Sequence, residues 1–330
     1  MKQTSEIILN NQPKLSEHEV DQKFNARRIN LIPFVKEFIS NHPKFKDKEV
    51  QITFAEKGAS SLVSIIESSD EKTILKVPLS LAHSLGEAQF LKVWEKAGVK
   101  VPHVLEDGMI NGHAYTLMEY VDVKILKDVY RKGEMIRKEM YIELGKILRV
   151  MHEPEAEGYG RIVDGKAQYL TFNEWLAGED VQKHIKYVQE NKLLGEEHGS
   201  ISFAFEILKE HAEKENKSSY CHDDFGTANI FATEPLTVVD PNPRFNNGYI
   251  DLGRSMIIAI ANNSGRAEAE IVDQFIEGYF AGKPFDRRAL QAAMLLNIYM
   301  KFPYQHKTKS LDRMKNLQTY IIQTKHLLEK

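Results

Sequence analysis

The spacing of apolar residues changes near Tyr120, and no other feature of the sequence constrains the fold as tightly. Between Val50 and Tyr120 the apolar residues fall in short, β-branched runs at 50–54, 62–66, 73–77, 101–106 and 114–120. Turn formers separate them: Gly58-Ala59-Ser60-Ser61, Ser68-Ser69-Asp70, Gly108 and Asn111-Gly112. One helix, 85–97, interrupts the series with Leu85, Phe90, Leu91 and Trp94 on its apolar face. Beyond Tyr120 the spacing is helical over 135–151, 172–190, 201–213, 254–261, 268–280 and 287–299. Ahead of the β-rich stretch a polar leader precedes a single helix, in which Ile29, Leu31, Ile32, Phe34, Val35, Phe38 and Ile39 keep helical spacing until His42-Pro43 stops it. The expected class is therefore α+β, with an N-terminal extension over 1–47, a β-rich lobe over 48–121 and a mainly helical lobe over 122–330.

Of the 330 residues 42% are hydrophobic, enough to bury one large core or two linked ones, which excludes a wholly disordered or fibrous chain. The formal charge of -3 supplies no global basic field, so neither nucleic acid nor an anionic membrane is an expected partner. A single cysteine, Cys221, excludes an internal disulfide and any thiol cluster for zinc or iron–sulfur, and a cytoplasmic setting is expected. The run Ile7-Ile8-Leu9 is too brief for a signal-peptide core, and the apolar stretch 256–261 falls far short of the roughly 20 residues of a membrane span.

The densest chemistry lies in Tyr220-Cys221-His222-Asp223-Asp224-Phe225-Gly226-Thr227-Ala228-Asn229-Ile230, followed by Thr237-Val238-Val239-Asp240-Pro241. Phosphoryl transfer needs one carboxylate to orient the attacking hydroxyl and accept its proton, and oxygen ligands to hold Mg²⁺ against the phosphates. Asp224, Asn229 and Asp240 supply that set. Strands over 230–232 and 236–239, joined through Thr233-Glu234-Pro235, would fold Asp240 back beside Asn229. Taken singly, the same residues are ordinary turn formers and helix caps.

This stretch resembles the His-x-Asp-x-x-x-x-Asn catalytic loop of the aminoglycoside phosphotransferase and choline-kinase group within the protein-kinase-like superfamily. The resemblance implies a two-lobed kinase-like fold in which Asp224 is the catalytic base, Asn229 and Asp240 hold Mg²⁺, and His222 braces the loop. Asp240-Pro241 stands where protein kinases carry Asp-Phe-Gly, which points to the small-molecule branch. Tyr249-Ile250-Asp251-Leu252-Gly253 resembles the segment that opens the next helix, with Asp251 tying down the loop from behind. The order of Lys76 on a strand and Glu87 on the next helix resembles the kinase lysine, which touches the phosphates, and its paired glutamate. Gly58, Ser60 and Ser61 occupy the place of the phosphate-covering loop, with one glycine where protein kinases have several. Leu117-Met118-Glu119-Tyr120-Val121 looks like the hinge, where Met118, Glu119 and Val121 would contact the purine. His152, Gly158-Tyr159-Gly160-Arg161 and Trp175 extend the resemblance to about 55–261.

The implied activity is transfer of the γ-phosphate of ATP or GTP to a hydroxyl of a small, cationic acceptor of aminoglycoside type. Kinases of choline, methylthioribose, homoserine or amino sugars are the alternatives within that class, and a non-catalytic nucleotide-binding module is the alternative outside it. Against a protein kinase stand Asp240-Pro241 and the absence of an activation segment between Asp240 and Asp251. Glu270, Asp273 and Glu277 share one helix face and are the expected attraction for a cationic acceptor. The stretch from Lys301 carries a positive excess and reads as a solvated face.

Overall fold

A computed structural model describes residues 6–17, 19–56, 60–69, 71–79, 86–129, 138–163, 165–194, 200–215, 217–262 and 268–324. The chain divides into two compact units, Met1–Lys92 with Val101–Asp122, and Val93–Lys100 with Val123–Lys330.

The first unit is built on a six-stranded sheet. Its elements are β1 (Glu6–Leu9), α1 (Glu19–Gln22), α2 (Asn25–Asn30), α3 (Ile32–Asn41), β2 (Glu49–Phe54), β3 (Ser61–Ser68), β4 (Lys72–Pro78), the start of α4 (Glu87–Lys96), β5 (Val104–Ile110) and β6 (His113–Glu119). The strand order is β1-β2-β3-β4-β6-β5. Alternation along β2 buries Val50, Ile52 and Phe54 on one face, where Val35, Phe38 and Ile39 of α3 meet them together with Leu62, Ile66, Leu75 and Leu117.

Two sequence expectations change here. The leader is not merely polar: Glu6–Leu9 pairs parallel with β2, and Ile7 and Leu9 pack against the core, so the sheet begins inside the expected extension, which also holds three helices rather than one. A parallel pair needs a crossover, and α1 to α3 provide it. Gly108 is not a turn but lies within β5 opposite Tyr115, whose hydroxyl would meet any added Cβ at 3.2 Å. The turn itself is Asn111-Gly112, with φ of 51° and 77°, which suits a two-residue hairpin.

The second unit carries the rest of α4, then α5 (Leu126–Val129), α6 (Lys138–Met151), β7 (Tyr159–Val163), β8 (Lys166–Tyr169), α7 (Phe172–Ala177), α8 (Glu179–Glu190), α9 (Ser200–Lys214), β9 (Ser219–Cys221), β10 (Ile230–Phe231), β11 (Thr237–Val238), β12 (Arg244–Asn246), α10 (Gly248–Asn262), α11 (Glu268–Phe280), α12 (Arg287–Lys307) and α13 (Leu311–Thr324). A four-stranded sheet, β8-β7-β12-β9, and the hairpin β10-β11 carry the polar loops. The helical stretch expected over 172–190 breaks into α7 and α8 at Gly178, where the Tyr169 hydroxyl leaves no space for a Cβ. The last expected helix does not stop at 299. It continues as α12 through Pro303 to Lys307, and it packs so closely on Gly253 of α10 that a Cβ there would stand 3.1 Å from the Ala293 backbone. No helix among the described residues is long and apolar enough to cross a membrane.

Candidate active site

The loop that follows β9 is held from behind by one carboxylate. Asp251, in the first turn of α10 and 2% exposed, accepts the backbone N–H of His222 at 2.7 Å and that of Asp223 at 2.8 Å. Its Oδ2 also accepts from His152 Nε2 at 3.0 Å, and the opposite ring nitrogen of His152 accepts the Tyr279 hydroxyl at 2.8 Å. Burial pushes the Asp251 carboxyl up, but His152, together with the His222 N–H, prevails and holds it below its ordinary value. His152, Cys221 and Asp251 lie close enough together to suggest a metal centre. Their atoms are already engaged: both histidine nitrogens as described, and the thiol as a donor to the Asn246 carbonyl, with burial pushing its pKa well up. A cysteine ligates a metal as the thiolate, which this burial opposes, so the group is a structural clasp.

The His222 ring makes contacts of its own at the start of the loop. Its Nε2 donates to the Val239 carbonyl at 3.0 Å, its ring stacks on Trp94 with centroids 5.8 Å apart, and its carbonyl accepts the Asn242 N–H at 2.9 Å. The strand end that precedes Asp240 is thereby tied to the start of the loop. The hairpin expected from sequence is present, with Ile230 opposite Val238 and Phe231 opposite Thr237. Val239 donates its N–H to the Asn229 carbonyl at 3.0 Å, which brings Asp240 alongside Asn229. Asp240 is exposed and adopts a left-handed φ of 55°, as Asp223 does at 56°, a conformation that asparagine and aspartate tolerate better than most residues.

Asp224 presents its carboxylate with 47% of the side chain exposed. Asn229 Nδ2 donates to its carbonyl at 2.9 Å and to its Oδ2 at 3.2 Å, while Lys301 Nζ from α12 approaches Oδ1 at 3.1 Å. Burial alone would raise this carboxyl. The charges of Lys301 and Arg254 outweigh it and hold the pKa at about 2.

Around this loop lie residues that the sequence did not single out. Asp223 is buried and accepts Arg244 Nε at 2.6 Å and Asn242 Nδ2 at 2.7 Å, with Arg254 Nε 3.1 Å from its other oxygen and bonded to its carbonyl at 2.6 Å. Lys301 belongs to a helix rather than a solvated tail. The apolar spacing Leu295, Ile298, Tyr299 and Phe302 runs past it and is the signal that could have revealed this.

In the first unit Lys76 Nζ meets Glu87 Oε1 at 2.7 Å, both side chains nearly buried. Ser60 accepts the Leu79 N–H at 2.8 Å and Ser61 is buried inside β3 opposite Pro78, whereas Gly58 lies outside the described residues. Met118 is buried in β6 between Ile74 and Val104. The Glu119 N–H already donates to the His103 carbonyl at 2.9 Å, and Val121 is half-buried just beyond the strand.

Residues 51–292 match the sequence pattern of the phosphotransferase enzyme family. The chain belongs to that family. No curated protein sequence matches this phosphotransferase, but solved structures do. A thermostable mutant of aminoglycoside phosphotransferase APH(4)-Ia, in ternary complex with AMP-PNP and hygromycin B, is similar with a TM-score of 0.56 at 16% identity, covering 87% of this chain and 95% of that one. Plasmodium vivax ethanolamine kinase gives 0.53 at 12% identity, covering 95% and 90%. Spectinomycin phosphotransferase APH(9)-Ia, in complex with ADP and spectinomycin, gives 0.50 at 13% identity, covering 82% and 89%. At these identities the likeness establishes the fold: kinase-like, β-rich in its N-terminal part and helical in its C-terminal part.

Proposed function

We propose that this phosphotransferase moves the γ-phosphate of ATP or GTP to a hydroxyl of a small molecule, with Asp224 receiving that hydroxyl. The observation that carries the reading is the anchored loop, in which one exposed carboxylate is fixed by Asn229 and Lys301 while the Val239–Asn229 bond sets Asp240 beside the same asparagine. The donor set fits Mg²⁺. Asn229 spends its amide nitrogen on Asp224, which leaves Oδ1 as the ligating atom, and Asp240 adds an exposed carboxylate, both hard oxygen donors. The ion, when bound, would neutralise phosphate charge.

Asp224 aligns the acceptor O–H. As the acceptor oxygen bonds to the γ-phosphorus and the bond to the nucleoside diphosphate breaks, the acceptor proton passes to the carboxylate. A carboxylate held near pKa 2 is a weak base, so its contribution is chiefly orientation, with proton acceptance late. Lys76, directed by Glu87, is assigned to the phosphates, Gly58, Ser60 and Ser61 to their cover, and Met118, Glu119 and Val121 to the purine. His222 and Asp251 keep the loop in shape.

An aminoglycoside-type cation would find the exposed acids Glu270, Asp273 and Glu277 on α11, whereas the charges that touch Asp224 itself are positive. A nucleotide-consumption screen across aminoglycosides, choline, methylthioribose, homoserine and sugar amines tests the activity. Turnover with at least one acceptor, abolished by Asp224→Ala with nucleotide affinity kept, is expected. Comparable product formation by the variant removes Asp224 from its role, and nucleotide binding without turnover of any acceptor favours a binding module.

A further inference from the structure

Arg161 of β7 and Arg244 of β12 are direct register partners on antiparallel strands, so two guanidinium groups leave the same face of the sheet side by side. Like charges directly opposite one another destabilise a sheet. Counter-ions offset this only in part. Asp180 is shared between Arg161, whose Nε is 3.3 Å from Oδ2, and Lys183, whose Nζ is 2.8 Å from Oδ1. Asp223 is shared between Arg244 and Arg254, and Asp224 is held by Lys301. Within these ion pairs five cations face three carboxylates, while Asp240, the other carboxylate beside Asn229, is assigned to the metal.

The donors are also incompletely used. All three arginines meet their carboxylates through Nε, the inner edge of the guanidinium. Arg161 Nε and Asp180 Oδ2 are close but misaligned, so neither makes a hydrogen bond, and Arg254 Nη1 is buried without a partner among the described residues. Arginine's outer fork suits a planar carboxylate or a phosphate monoester, each able to take two parallel N–H bonds. Arg161 keeps 35% of its side chain exposed, so a ligand has access to it. Arg244 binds Asp223, the residue that precedes Asp224, so the arginine pair and the expected hydroxyl position belong to one stretch of structure. His184, surrounded by Lys183, Arg254 and Arg244, is kept uncharged down to about pH 4 by burial and by those cations, which agrees with a site of positive sign.

We infer that the acceptor carries an anionic group, a carboxylate or a phosphate monoester, beside the hydroxyl that is phosphorylated, and that Arg161 and Arg244 bind it. This rests on the phosphotransfer reading given above. It selects hydroxy acids and sugar phosphates over the cationic acceptors that the family resemblance implies.

The test uses the full-length protein with matched pairs: homoserine against homoserine amide, and glucose 6-phosphate against glucose. Calorimetric binding of each is measured alongside MgATP-dependent turnover. The anionic member of at least one pair should bind and turn over with KM lower by roughly tenfold or more, and the pair that responds tells carboxylate from phosphate. Arg161→Gln should raise that KM by about the same factor and close the gap within the pair, with Arg161→Lys intermediate because it keeps charge and loses the fork. Melting curves of both variants establish that they are folded. Turnover restricted to aminoglycosides or other cationic acceptors overturns the inference and leaves phosphotransfer standing. Arg161-dependent binding of an anion without turnover supports the anion site and counts against phosphotransfer. Absence of binding and turnover for both anionic members overturns the inference.

Discussion

Burial raises the Asp224 carboxyl, yet the neighbouring charges, Lys301 before Arg254, bring it to about 2, below the ordinary 3.8. A folded pKa below the unfolded one means that ionised Asp224 favours the fold above the ordinary carboxylate range, and that this contribution is lost as pH falls through about 2. Lys301→Ala removes the leading opposing charge and leaves burial in place. The acid limb of kcat/KM is expected to move upward in pH, since Asp224 then protonates closer to its ordinary value. A pH–rate profile with product analysis reads this directly, and an unchanged acid limb would remove Lys301 from the role. At this scale the sequence was legible where a motif compressed the chemistry into one stretch, as from His222 to Asp240. Lys301 was not, because its position beside Asp224 depends on how α12 packs, which no local spacing records.

Between the loop and the outer helices the connection runs through a glycine crossing. Gly145 of α6 and Gly278 of α11 face each other's backbone: a Cβ on Gly145 would stand 2.6 Å from the Phe275 carbonyl, and one on Gly278 would collide with the Ile142 carbonyl. Neither obstacle is the movable end of a side chain. Gly278→Ala must push the two helices apart and should cost about 1–3 kcal/mol, a drop of several degrees in Tm. The residue after Gly278 is Tyr279, whose hydroxyl donates to His152, which donates to the carboxylate of Asp251 that holds the loop. Activity is therefore expected to fall together with stability, and thermal melting with steady-state rates measures both. A variant with native Tm would show that the helices have room there. Helices α6 and α11 were readable from apolar spacing, whereas α13, which buries Leu317, Tyr320 and Ile321 within the stretch expected to be a solvated face, and the hairpin β7–β8 were not. Gly158 and Gly160, with φ of 81° and 88°, and the irregular register between Tyr159 and Ile162 erase the alternation that marks a strand, so Arg161 was matched by resemblance alone and its place on a strand beside Arg244 stayed hidden.

For the whole molecule, the switch from β-rich to helical spacing near Tyr120 gave the fold class, because each unit buries its own core and imposes its own period on the sequence. The strand Glu6–Leu9 escaped because a short edge strand carries little signal until it meets β2. A ligand that binds only the folded chain stabilises all that unfolds with it, by about 2.7 kcal/mol at a hundredfold excess over Kd. MgATP should accordingly raise Tm, and more than ATP with chelator does, if Asp240 and Asn229 hold the metal against the phosphates. Asp240→Ala is expected to lose the magnesium-dependent part of that rise, since one of the two hard oxygen donors is gone. Asp224→Ala should keep it, because that carboxylate is assigned to the acceptor and not to the nucleotide. The two variants sit on the same loop and hairpin, so a general loosening would affect both alike, and only the assigned roles separate them. Differential scanning fluorimetry with ATP, with and without Mg²⁺, makes the comparison. A magnesium-dependent rise that survives in Asp240→Ala and disappears in Asp224→Ala would exchange the roles of the two residues.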